Sequence, residues 1–232
     1  MRRRAILVAT GGLIAGAGCA TNEEATDENG QRLDEDQEGS AEIVGTDVIE
    51  APAQGTSGDD VPWLRVDVEN PTDAPHGGIR LDSTFYDDGN ELSTETFRSS
   101  YLPAETTLRF YHRGESDPEE LEEVEVEIVE AHPQVRGTEL EGISVGTTDL
   151  SVGGDLINVQ GEAELGTDDE FERVTVVALI YDEAGYLRGT GTATEYGPTE
   201  TFEFGADSSG FRAPHVADPI DDYDVLFFDD LP

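Results

Sequence analysis

Apolar and polar residues alternate along this chain with a period of two. Leu64-Arg65-Val66-Asp67-Val68, Ile79-Arg80-Leu81, Val124-Glu125-Val126-Glu127-Ile128 and Val174-Thr175-Val176 each send every second side chain to the same face. A helix repeats every 3.6 residues, so this pattern specifies strands with one face buried and the other in solvent. Turn chemistry separates the segments: Asn70-Pro71-Thr72-Asp73, Asp87-Asp88-Gly89-Asn90, Gly153-Gly154-Asp155 and Glu183-Ala184-Gly185. Gly, Asn and Asp tolerate positive φ there or bind their own backbone. Many short strands between such turns predict an all-β sandwich or barrel. A single helical turn is predicted over Asp117-Pro118-Glu119-Glu120-Leu121, capped by Ser116 or Asp117 with Pro118 at the first position.

The strand pattern repeats. Tyr86-Asp87 recurs as Tyr181-Asp182, an offset of 181 − 86 = 95, and the same offset pairs Leu92 with Leu187, Tyr101 with Tyr196, Pro103 with Pro198, Glu105 with Glu200 and Thr106 with Thr201. Upstream it lays Leu64, Val66 and Val68 on Val159, Gly161 and Ala163, without a gap. After Thr106 the register slips, and Val124, Val126 and Ile128 match Tyr223, Val225 and Phe227 only if the second copy holds extra loop residues around 207–219. The chain is therefore expected to carry two copies of one β module, 41–133 and 134–232. The linker, about His132-Pro133 to Gly137, is too short for wide independent motion.

Each copy resembles the FxLYD domain, an immunoglobulin-like β-sandwich of exported prokaryotic proteins. Copy one carries the likeness in Asn70-Pro71-Thr72, Phe85-Tyr86-Asp87, Gly89, Leu102-Pro103-Ala104-Glu105-Thr106 and Phe110; copy two carries it in Tyr181-Asp182, Gly185, Pro198, Glu200-Thr201 and Phe204. The name-giving motif is altered in both: Ser83 and Ala178 stand at the Phe position, Phe85 and Ile180 at the Leu position. Leu165-Gly166-Thr167 replaces the turn Asn in copy two. The resemblance implies two tandem immunoglobulin-like sandwiches and a surface or secreted module without catalytic residues. On the residues alone, Tyr86 and Tyr181 bury a ring and satisfy a hydroxyl at the rim. Asp87 and Asp182 accept turn N–H groups, and Pro103 and Pro198 open turns.

The amino terminus adds an address. Arg2-Arg3-Arg4 precedes an apolar run from Ala5 to Gly18, and Gly16-Ala17-Gly18 lead into Cys19. This is the layout of an export leader, too short to span a bilayer comfortably. The pair Arg3-Arg4 followed by Ala5, Ile6 and Leu7 resembles the twin-arginine signal, and Cys19 stands at the lipidated position of what resembles a lipobox, with Gly16 where an aliphatic residue is usual. Residues 1–18 are thus expected to be a leader and Cys19 the lipid anchor. Residues 19–40 hold hardly any large apolar side chain beyond Leu33, so they are expected to form a solvated acidic tether.

Charge narrows the partners. With 53 acids against 13 basic residues the net charge is −40, which excludes a phosphate-tracking nucleic-acid binder. All basic residues are Arg; there is no Lys. Such an excess repels itself at ordinary ionic strength, whereas molar salt shortens the Debye length to about 3 Å. The composition resembles that of proteins from salt-loving archaea.

No constellation for catalysis emerges, and no cofactor is expected. His76, His112, His132 and His215 are read in turn-like or polar contexts and none has metal-ligand spacing. The one Cys lies outside the sandwiches, which removes a blue-copper site, and no nucleophile elbow surrounds any Ser. Asp87-Asp88-Gly89-Asn90-Glu91 and the tail Asp218, Asp221, Asp222, Asp224, Asp229 and Asp230 offer oxygen donors but not the spacing of a calcium loop. Asn70-Pro71-Thr72 contains the proline that forbids glycosylation. Trp63, the single tryptophan, is expected in the core of copy one, the alternative being an exposed platform. The expectation is a non-enzymatic lipoprotein on the outer face of the membrane, an interaction or spacer module with a protein partner at the surface. The alternative is a small-solute or cation-binding accessory to a transporter or redox system, using a cleft between the copies.

Overall fold

The computed structural model of the chain describes residues 7–11, 41–52, 60–113, 123–153, 156–166, 171–209, 213–214 and 216–232. Arg3, Arg4, Cys19, the tether, His215 and the predicted helical turn over 117–121 lie outside the described residues. The fold is all-β, with no helix among the described residues. A short strand β1 (Leu7–Gly11) precedes six strands of the first half: β2 (Glu42–Ala51), β3 (Val61–Glu69), β4 (Ile79–Asp87), β5 (Asn90–Ser99), β6 (Thr107–Arg113) and β7 (Glu123–Ala131). Six follow in the second: β8 (Ile143–Gly153), β9 (Leu156–Leu165), β10 (Arg173–Asp182), β11 (Leu187–Tyr196), β12 (Thr201–Ser209) and β13 (Ile220–Phe228).

The pairing pattern recurs between the halves. In the first, β7-β4-β5 form one layer and β2-β3-β6 the facing one; in the second, β13-β10-β11 and β8-β9-β12 repeat this order. Phe85 lies opposite Val124 and Ile180 opposite Tyr223, the same register in both. Strand β1 runs parallel to the outer edge of β7, from Leu7 beside Glu123 to Gly11 beside Glu127.

The offset of 95 breaks by one residue at the first hairpin. Leu81 faces Phe97 and Val176 faces Ala193, so the offset there is 193 − 97 = 96. In the first half Asp88 and Gly89 make the whole turn with φ of 46° and 73°, as a two-residue primed turn requires, and Asp88 tolerates the left-handed region because its side chain is short. The second half spans 183–186 instead. Leu92 and Leu187 are consequently not equivalent: Leu92 is partly exposed and Leu187 is buried. Tyr101 is buried and Tyr196 exposed for the same reason.

The apolar faces pack as the alternation dictates. Leu64, Val66, Val68, Leu81, Phe85, Val124 and Val126 join one cluster, and Val159, Val174, Val176, Ile180, Phe202 and Phe204 another. Each fully buried side chain of this size contributes about 1.5–3 kcal/mol. Gly161 replaces Val66 of the first half because a Cβ there would meet Thr148 Cγ2 at 2.6 Å and Phe204 Cζ at 3.0 Å.

One strand departs from half-burial. From Val174 to Ile180 every residue of β10 is buried, Thr175 included. Val177 and Leu179, on the face turned away from the second cluster, join Leu187 and Phe228 in the first half's cluster. The halves therefore share apolar packing, and a single bridge between Leu187 and Leu108 links β11 to β6 in parallel.

Candidate functional site

The repeated motif residues take local structural positions. Tyr86 Oη donates to Glu125 Oε2 at 3.2 Å, and loss of solvent around the ring, then the Glu125 carboxylate, raise its pKa. Tyr181 packs against the shared apolar cluster, and burial pushes it up to about 12, with Asp224 adding to the effect. Asp182 Oδ1 accepts the N–H groups of Ala184 at 3.1 Å and Tyr186 at 3.0 Å, closing the longer turn. Around Asp87 the bond instead goes to its carbonyl, from Asn90 Nδ2 at 3.3 Å. The Pro103 carbonyl accepts from Asn70 Nδ2 at 3.0 Å, and Pro198 follows Gly197 at φ 57°. Asn70, fully buried, also donates to the carbonyl of Ala74 and accepts from Thr72 N and Oγ1, so its amide organises the whole turn.

The most developed side-chain constellation lies between the halves. On the outer face of β3 and β6, Arg65 faces Tyr111 and Asp67 faces Arg109 across the strands. Arg109 grips Asp67 through two bonds, Nε to Oδ1 at 2.7 Å and the terminal nitrogen to Oδ2 at 2.8 Å. This fork-to-carboxylate geometry holds the guanidinium charged, its pKa raised first by that hydrogen bond. Its flat face then lies on the Tyr186 ring of the second half, 3.5 Å from the centroid. In return Arg188 of the second half lies over Tyr111 of the first at 4.8 Å and donates from Nε to the Arg109 carbonyl at 3.0 Å. Each half thus offers an arginine to the other's tyrosine.

Arg188 is buried, and desolvation lowers its pKa. Asp182 Oδ2 stands 3.6 Å away, and the Asp218 carbonyl accepts from Arg188 at 3.3 Å. Asp182 therefore caps its turn through one oxygen and compensates a buried cation with the other. Beside this cluster Trp63 is fully buried and donates Nε1 to the Ala51 carbonyl at 3.1 Å; Tyr111, Ala213 and Ala217 pack with it. Ala213 and Ala217, which lie among the extra residues of the second copy, cover it. Trp63 is a core residue, as expected, but it sits under the other half rather than inside the first sandwich.

Two histidines leave the polar contexts assigned to them. His112 lies on β6, buried edge-on against Phe110 at 4.9 Å, and burial lowers its pKa to about 4. His76 is also buried, its Nδ1 beside the Gly77 carbonyl, with a lowered pKa caused first by burial. Among the described residues no group of three His, Cys, Asp or Glu is placed to hold a metal ion, and no helix is long and apolar enough to cross a membrane. An open depression of about 660 Å³ is lined by Arg136, Phe171, Glu172, Arg173, Tyr196, Asp229 and Asp230. Arg173 is tied there to Asp230 at 2.7 Å, and Asp229 Oδ1 accepts from Thr138 N at 2.7 Å.

The reciprocal stack escaped the sequence reading, although one signal pointed to it. Arg109-Phe110-Tyr111 and Tyr186-Leu187-Arg188 carry the same pair in opposite order with one residue between, which in a strand puts both side chains on one face. No family model matches the chain, and no curated protein does.

Proposed function

We propose that this chain is a lipid-anchored, extracytoplasmic protein of a salt-adapted cell, built from two FxLYD-like immunoglobulin-like units and acting as a non-catalytic spacer or interaction module. The observation that carries the reading is the joint. A shared apolar cluster and two exchanged Arg–Tyr stacks fix one half on the other, which suits a part that holds a distance or presents a surface. Arginine stacking on aromatic rings persists where salt screens exposed ion pairs, since much of its energy is contact rather than long-range charge. Cys19 anchors the chain, Arg3 and Arg4 direct its export, and a protein at the cell surface is its partner.

Mass spectrometry of the membrane fraction tests the anchor. A lipid-modified N-terminus at Cys19, and release of a Cys19→Ser variant from the membrane, are expected; an unmodified N-terminus in the cytosol overturns the reading. Circular dichroism tests the salt dependence. Dialysis from molar KCl to low salt is expected to abolish the β signal, because the charge of −40 is then unscreened.

A second reading, a small-solute binder accessory to a transporter or redox system, is favoured by the depression that gathers Arg136, Arg173 and the exposed Tyr196. Thermal melts against a panel of cations and small solutes separate the two. A shift with one compound alone selects the binder, and uniform melts select the spacer.

A further inference from the structure

An outer strand presents unpaired N–H and C=O groups to any other chain, and charge is a usual way to block that pairing. Among the described residues three long outer strands are blocked in this way: β2 by Glu42, Asp47 and Glu50, β5 by Glu91 and Glu95, and β13 by Asp221, Asp222 and Asp224. The fourth is not. Strand β8, with eleven residues reading ISVGTTDLSVG, has Asp149 as its sole charge. It ends the seven-strand main path of the nine-stranded sheet, and among the described residues it pairs with β9 alone.

Burial and hydropathy agree with this gap in the charge. No residue of β8 is fully buried. Val145 is 38% exposed, Val152 55% and, across the hairpin, Leu156 47%, on a chain whose surface is otherwise crowded with carboxylates. The pairing to β9 shifts between Val145 and Thr148, which leaves Thr148–Gly153 as the regular run.

We propose that β8 is a self-association edge through which two copies of this chain pair antiparallel along Thr148–Gly153, extending the sheet across a two-fold axis. A two-fold interface needs a self-complementary patch. An axis centred on Leu150 sets Asp149 opposite Ser151, and one centred on Ser151 sets it opposite Gly153; in neither does an acid face an acid. The same operation centred on Tyr223 of β13 would set Asp222 against Asp224. A second copy fits this edge better than a basic partner, for which β8 offers a single carboxylate. Repulsion between the two acidic bodies is confined by molar salt to about 3 Å, so a neutral edge is where two of them can touch.

Sedimentation equilibrium of the full chain in molar KCl, over a range of protein concentrations, tests this. The comparison is with Ser151→Glu/Val152→Glu, which copies the acids of the other edges, and with Asn90→Glu at the exposed start of β5. Wild type and Asn90→Glu are expected to dimerise, and the doubly substituted chain to bind itself about tenfold more weakly or worse, a change of about 1.4 kcal/mol or more. Wild type sedimenting as a monomer throughout, or the double variant dimerising as tightly as wild type, overturns the proposal. Should the double variant misfold by circular dichroism, hydrogen exchange of wild type decides. Amides of Thr148–Gly153 that gain protection as concentration rises support the edge, and amides indifferent to concentration overturn it.

Discussion

Tyr86-Asp87 and Tyr181-Asp182 are the same dipeptide at the same point of a repeated strand, yet they live in different chemistry. Tyr86 keeps its hydroxyl at the surface with Glu125, and Asp87 borders a two-residue turn facing solvent. Tyr181 is packed into the apolar cluster that the halves share, and Asp182 is buried against Arg188. The duplicated residues specify a strand end and a turn, while docking decides what each residue is for. The second half's motif became part of a joint because its turn is longer and its outer face is covered.

Removing the carboxylate breaks the comparison most sharply. Asp182→Ala leaves a buried guanidinium uncompensated and two turn N–H groups unmet, and should cost about 3–5 kcal/mol, whereas Asp87→Ala should stay within about 0.5 kcal/mol. Denaturant midpoints in molar KCl measure both, and equal losses would refute the asymmetry. Leucines aligned by the repeat provide the next contrast. Leu187→Ala empties a fully buried site and should cost about 2–5 kcal/mol, while Leu92→Ala, at a site 37% exposed, should cost a small fraction of that.

Acid response should divide the halves. His112 faces Leu64 just as Ala206 faces Val159, so the first half has a buried imidazole where the second has a methyl group. Burial depresses His112 to about 4, although Asp82 opposes the shift. Below about pH 6.5 the unfolded chain takes up a proton that the folded one refuses. Stability attributable to His112 is therefore intact above 6.5 and falls by about 3 kcal/mol as the pH drops towards 4. His112→Phe should flatten that slope in pH-dependent unfolding; an unchanged slope would place the acid sensitivity elsewhere.

Alkali gives the smallest contrast. Tyr181 stays protonated to about 12, so its contribution is complete below the ordinary tyrosine value near 10 and declines as pH rises through 12. Ultraviolet titration of Tyr181→Phe should lose the tyrosinate step of highest pH, and Tyr86→Phe should leave that step in place.

Much of the fold was legible because strands write their period into the chain. Leu64, Val66 and Val68 alternate, and all three are fully buried. Asp88-Gly89 announced a hairpin because few residues other than Gly, Asn and Asp accept positive φ. The double burial of β10 was less legible, since Thr175 breaks the apolar run and reads as a solvent-facing position. His112 was misread for a similar reason: flanked by Tyr111 and Arg113, it looks polar until β6 is paired with β3 and its face becomes known. The candidate joint was hidden, because the partners Arg109 and Tyr186, and likewise Tyr111 and Arg188, lie 77 residues apart in sequence, 186 − 109 and 188 − 111.

The amino acids alone determined that this chain builds strands, where many of them turn, that a strand pattern recurs in the second half, and that its surface is acidic. Those are consequences of nearest-neighbour sterics and of side-chain period, which act over a few residues. Tertiary structure alone decided that the outer face of β10 is interior, that Asp182 is bound to Arg188 while Asp87 meets solvent, and that Trp63 lies beneath the second half. Burial belongs to a pair of surfaces, and no residue carries the record of what will be pressed against it.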